Sequence, residues 1–75
     1  MKGGNMTKGK IKRVMKDRGY GFIKVEDGRE IFFHVSALQG LDFSDLMEGD
    51  PVECDVQNDK YNRGFKAVNI RRASG

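Results

Sequence analysis

Arg18 to Val35 reads RGYGFIKVEDGREIFFHV, and the alternation within it decides the fold. From Gly19 to Val25, Tyr20 and Phe22 fall on one side of a strand and Gly21, Ile23 and Val25 on the other, because side chains alternate across an extended backbone. Residues 31–35 repeat the pattern, with Ile31, Phe33 and Val35 set against Phe32 and His34. The Asp27-Gly28 pair in the Val25 to Glu30 connection suits a tight hairpin, since both residue types tolerate positive φ. Pairing the two strands would leave Tyr20, Phe22, Phe32 and His34 together on the face opposite the core.

Working outward, Lys8 to Met15 reads as a first strand, but strict alternation sets Arg13 on the side of Ile11. A bulge near Lys12 resolves this by leaving one residue unpaired. Ser36-Ala-Leu-Gln39 followed by Gly40 is expected to form one capped helical turn, with Ser36 and Gln39 at capping-box spacing and Gly40 as its stop. Residues 41–50 read as a loop carrying Phe43. Pro51 can open a strand in which Val52, Cys54 and Val56 share a face. Gln57 to Gly64 reads as a connection, and Phe65 to Arg71 as a last strand with Val68 and Ile70 inward. Five short strands and almost no helix predict an all-β, five-stranded antiparallel barrel with one short helical turn after the third strand. Closure would also remove exposed sheet edges. The expected core is Ile11, Ile23, Val25, Ile31, Phe33, Leu38, Leu46, Val52, Cys54, Val56, Val68 and Ile70. Residues 1–7 are expected to be a flexible leader, 8–72 the domain, and 73–75 a disordered tail.

A chain of 75 residues supports one core, because at this size only about 60% of the unfolded surface is buried. The lone Cys54 cannot form an internal disulfide and no Cys/His spacing resembles a metal site, so neither disulfide nor metal is expected. With no long apolar run and no signal-peptide core, the reading is a reducing, cytoplasmic setting and no membrane partner. The net charge of +3 is unevenly spread: residues 1–24 carry +7, residues 25–59 carry −9 and residues 60–75 carry +5. A fold joining the two basic ends makes a positive face backed by a negative one, which orients a polyanion. No nucleophile–base pair or phosphate-cradling loop is present, so neither enzymatic activity nor a cofactor is expected.

RGYGFI matches the K/R-G-F/Y-G/A-F part of the first ribonucleoprotein motif. Two aromatics at i and i+2 present neighbouring rings on a sheet, the intervening glycines are expected to leave room for bases, and the basic residue meets phosphate. In an RNA-recognition-motif domain the second motif precedes this one, with a helix between. Here IFFHV follows after a short turn, which favours an OB-type barrel. The chain resembles the cold-shock domain family from Gly9 to about Ile70, through G-x-I-K, D-R-G-Y-G-F-I, D-G-x-x-I-F-F-H-V-S-A-L-Q-G, F-x-x-L-x-E-G-D and R-G-F-K-A-V-N-I. That resemblance implies a five-stranded OB-fold barrel, without enzymatic activity, that binds single-stranded RNA or DNA over its first three strands. The family's binding positions carry over to Lys12, Tyr20, Phe22, Phe32, His34, Phe43 and Arg63.

The chain departs from the family at Arg13 and Val14, where the first strand usually reads K-W-F, and at Val35, where the second motif usually ends in phenylalanine. Gly64-Phe65 stands where the last hairpin tends to carry G-P. Arg13 can offset part of the loss, because a guanidinium both stacks on bases and meets phosphate. Arg13 and Arg18 therefore join the expected contacts, with Lys10, Lys24, Tyr61, Phe65 and Lys66 as secondary ones. The expected function is single-strand nucleic-acid binding of low sequence specificity by a monomer, in the manner of an RNA chaperone or a regulator of transcription or translation. The competing reading is a protein-interaction barrel with a reduced nucleic-acid face. A preference for duplex or structured RNA through backbone contacts, with stacking secondary, is a third.

Overall fold

A computed structural model of the chain describes residues 6–59 and 64–73. Five strands, β1 (Thr7–Met15), β2 (Tyr20–Val25), β3 (Glu30–His34), β4 (Pro51–Asp59) and β5 (Gly64–Arg72), close in the order β1-β2-β3-β5-β4. Four of the five pairings are antiparallel, but β3 meets β5 in parallel, through Phe32 and Lys66. The barrel is thus not wholly antiparallel, because the chain crosses an end of the barrel between β3 and β4. β1 begins at Thr7, one residue inside the expected leader.

The bulge in β1 falls where expected. Ile11 pairs with Ile23 and Arg13 with Phe22, leaving Lys12 between them. Before the bulge β1 is shared, its residues Thr7 to Lys10 pairing also with β4; after it, β1 serves β2 alone. Such an insertion bends and twists the strand, and here it sits where β1 leaves one neighbour for the other. The β2–β3 hairpin also keeps the expected register: Tyr20, Phe22 and Lys24 lie opposite His34, Phe32 and Glu30, while Gly21 and Ile23 lie opposite Phe33 and Ile31.

Ile11, Ile23, Val25, Ile31, Phe33, Leu46, Val52, Cys54, Ala67 and Ile70 form the buried core, with Val14, Ala37, Leu38, Leu41, Phe43 and Val56 packed against it. Ala67 replaces the expected Val68. The cause is a second bulge: Glu53 pairs with Arg71 and Asp55 with Val68, so Asn69 and Ile70 together face Cys54. Asn69 takes the left-handed conformation at φ 52°, which restarts the alternation and turns Ile70 inward. Its side chain accepts from Gln39 Nε2 at 2.8 Å and donates to Asp55 Oδ2 at 2.9 Å.

Three local expectations change. The turn after β3 spans Val35–Ala37 and is capped by His34, not Ser36; the Ser36 N–H donates to His34 Nδ1 at 3.1 Å. Gln39 is drawn to Asn69 instead of back to a cap. A second 3-10 turn, Phe43–Asp45, occupies part of the expected loop. The segment read as a connection from Gln57 is strand as far as Asp59, and β5 resumes at Gly64.

Gly21 also has a different task from the one expected. A Cβ there would press on the Arg13 carbonyl oxygen and come within 2.8 Å of the Phe33 ring. Its missing side chain makes room for Phe33 inside the barrel, not for a base outside. Cys54 is fully buried as a structural thiol. Burial, with a smaller contribution from Asp55, pushes its pKa up to about 11.

Candidate functional site

The outward positions of β2 and β3 bring three rings together. Tyr20 and Phe32 have centroids 5.5 Å apart at 41°, Phe22 and Phe32 are 6.0 Å apart at 71°, and Tyr20 and Phe22 are 6.1 Å apart at 89°. The two pairs that include Phe22 are edge-to-face, an arrangement that suits the ring quadrupoles, while Tyr20 and Phe32 are tilted. All three rings are half-buried, so the cluster presents a fixed apolar surface and has not collapsed into the core.

Around it, register decides which groups share the face. His34 is exposed opposite Tyr20. Its Nδ1 accepts the Ser36 N–H, so the neutral ring keeps its proton on Nε2 and offers a donor there. Arg13 is exposed opposite Phe22, and Met15 is half-buried opposite Tyr20. Met15 was missed from the sequence, although shifting the count at Lys12 places it outward by the same alternation that places Arg13. Lys10 lies directly opposite Lys24, a like-charge pair that raises the local positive potential. Lys66, in register with Phe32, borders the far edge of the platform.

Lys12, one of the binding positions the resemblance implies, is engaged in an ion pair. Its ammonium donates to Glu30 Oε2 at 2.8 Å, and that hydrogen bond together with the Lys12 charge holds the Glu30 carboxyl below its ordinary value. Lys12, Arg13, Phe22 and Glu30 line a depression of about 250 Å³, large enough for a planar ring. Arg18 is exposed in the β1–β2 turn, where Gly19 takes φ 78°.

Phe43 does not join the three rings. It packs edge-to-face on Phe33 at 6.4 Å, on the inner side of β3, and Lys16 Nζ sits 5.9 Å from its centroid while bonding the Ser44 carbonyl. This contact with the core was not visible in a loop without periodicity. Phe65 is exposed at the start of β5. Arg63 and Tyr61 lie outside the described residues. Among the described residues no group of three His, Cys, Asp or Glu side chains could hold a metal ion, and no helix is long and apolar enough to cross a membrane.

Residues 7–73 match the model of the 'Cold-shock' DNA-binding domain. The chain is 42% identical over 65 residues to Cold shock protein CspB of Geobacillus stearothermophilus, covering 87% of this chain and 96% of that one. It is 40% identical over 67 residues to Cold shock-like protein CspD of Bacillus cereus, covering 89% and 98%. Among solved structures it superposes on drosophila Unr CSD456 with a TM-score of 0.73 at 26% identity, covering 96% of this chain and 28% of that one.

Proposed function

The chain belongs to the cold-shock domain family, a nucleic-acid-binding and non-enzymatic family, and from that premise we propose that it captures single-stranded RNA or DNA with low sequence specificity. The observation that carries this reading is the Tyr20–Phe22–Phe32 cluster, held outward on β2 and β3 and bordered by Arg13, His34 and Lys66. Every base has a π face, so rings on a sheet stack unpaired bases with little regard to sequence. Duplex offers no such face, because its bases are stacked on one another.

Arg13 gives this platform its character. Opposite Phe22 it can lay its guanidinium plane on a base that Phe22 also touches, or reach a phosphate. Charge thereby carries a larger share of binding than on a face lined with rings alone. Capture of transiently unpaired bases melts weak RNA structure, which is the activity of an RNA chaperone. We place this activity in the cytoplasm, in a monomer.

The test is a titration of labelled protein with single-stranded RNA, single-stranded DNA and duplex of equal length, followed by amide shifts. Shifts should concentrate on β1, β2 and β3 with single strands and be weak with duplex. Shifts confined to β4 and the 41–50 loop would refute the stacking face.

A further inference from the structure

Phe65 stands apart from the three-ring cluster and is 45% exposed; Met47 is the only other large apolar side chain so exposed among the described residues. The ring is flanked by charge. Arg29 Cζ lies 4.8 Å from its centroid, inside the range in which a guanidinium is attracted to a ring face. Arg29 is itself held in place, because its Nε donates to Asp27 Oδ2 at 2.7 Å and its backbone N–H donates to Asp27 Oδ1 at 3.0 Å. The β2–β3 turn thus fixes a guanidinium against the first ring of β5.

Register relates this pair to the platform. Phe32 is level with Lys66, and Phe65 precedes Lys66 by about 3.3 Å along β5 with the opposite parity, that of buried Ala67. Its exposed ring thus stands at the start of the strand beside the β2–β3 turn, around the barrel's rim from the platform. Arg29 likewise directly precedes Glu30, the residue level with Lys24 at the end of the outward row of β3. A strand leaving Phe32 past the cation at Lys66 reaches the second ring and its second cation by bending over this rim. The charges also select the occupant. Two copies of the chain meeting through Phe65 would bring Arg29 and Lys66 against their own kind, whereas a polyanion is attracted by both.

Resting on the reading of the chain as a single-strand binder, we propose that Phe65 and Arg29 form a second stacking station, which takes one further unpaired base of the bound strand together with its phosphate. The base lies on the part of the ring that Arg29 leaves open, and the guanidinium N–H groups not engaged by Asp27 face the phosphate. The chain thus covers a longer strand than the three-ring face alone would hold, and a nucleotide bound here is gripped by stacking and charge at once.

The experiment measures affinity for a ladder of single-stranded oligonucleotides, from about three nucleotides, just below the smallest site size of one such barrel, to about nine, well within its range. Wild type, Phe65→Ala, Arg29→Ala, Phe65→Tyr and Phe22→Ala are compared. Phe65→Ala and Arg29→Ala should match wild type on the shortest strands and fall about fivefold to a hundredfold behind on the longer ones, with Phe65→Tyr close to wild type throughout. The Phe65 ring protons should shift with long strands and not with short ones. Phe65→Ala equal to wild type at every length, or weaker by one factor at every length, overturns the station. In either case, continued weakening by Phe22→Ala leaves the three-ring reading standing. Failure of wild type to bind any strand overturns both.

Discussion

Lys12 Nζ lies 2.8 Å from Glu30 Oε2, so a cation at the edge of the aromatic face is already satisfied by a carboxylate. Both side chains are about half exposed, at 47% and 49%, and exposed pairs of this kind contribute little to stability. Their consequence is for binding. A phosphate reaching Lys12 must displace Glu30 or lie beside its negative charge.

Glu30→Gln should therefore tighten single-strand binding, by about twofold to tenfold at low salt, and steepen the fall of log K with log salt by about 0.7 if one more phosphate contact forms. Fluorescence titration at several salt concentrations measures both. Equal affinity with an equal slope would show that Lys12 does not meet the strand.

The same pair sets a pH dependence. The Lys12 hydrogen bond and charge hold Glu30 below its ordinary 4.5, and the Arg29 backbone N–H, with help from its side chain, does the same for Asp27 below 3.8. Depressed values mean that both contributions to stability are present above those ordinary values and are lost as pH falls through the folded ones. Over that acidic range, protonation also releases Lys12. Wild-type affinity should rise towards that of Glu30→Gln as pH drops, while the variant lacks this component. A constant affinity ratio across the range would contradict the competition.

Phe22→Ala and Phe32→Ala should remain folded, since both rings are half-buried on the outer face, and should each weaken binding about fivefold to a hundredfold. Circular dichroism melts alongside binding titrations separate the two effects. Variants that unfold outright would mean that these rings belong to the core.

Gly21→Ala should destabilise the barrel by about 1–3 kcal/mol, as overpacking does, because its new methyl group meets the Phe33 ring and the Arg13 carbonyl oxygen. Urea denaturation reads this directly. An unchanged midpoint would show that Phe33 has slack that the packing does not suggest.

Asn69 allows a sharper comparison. At φ 52° a side chain with a Cβ is strained by about 1–2 kcal/mol, and Asn offsets this through its bonds to Gln39 and Asp55. Asn69→Ala should cost more stability than Asn69→Gly, which loses the bonds but relieves the backbone. Equal melting temperatures for the two variants would argue against a conformational role.

The β2–β3 hairpin and the Lys12 bulge were legible because alternation, a turn dipeptide and one misplaced arginine are local signals. Ala67 was not legible, since the bulge at Asn69 breaks the period within a strand that carries no glycine or proline there. An asparagine in a strand is the only mark it leaves. His34 displaced Ser36 as the cap because a ring nitrogen two residues before an amide reaches it as well as a hydroxyl does, and capping-box spacing cannot see this. At the site, Tyr20, Phe22, Phe32, His34 and Arg13 followed from parity. The pairing of Lys12 with Glu30, the packing of Phe43 on Phe33 and the stacking of Arg29 on Phe65 depend on contacts between elements distant in sequence, which no periodicity reports.

The bulge that turns β1 from one neighbour to the other also divides adjacent residues by what can vary in them. Lys12 occupies the extra backbone place, so deleting it straightens the corner of the barrel, whereas Arg13, exposed opposite Phe22, can be exchanged without disturbing the ladder. An exchange at Arg13 between guanidinium and ring therefore alters what meets the bound strand while the β1–β2 register stays in place.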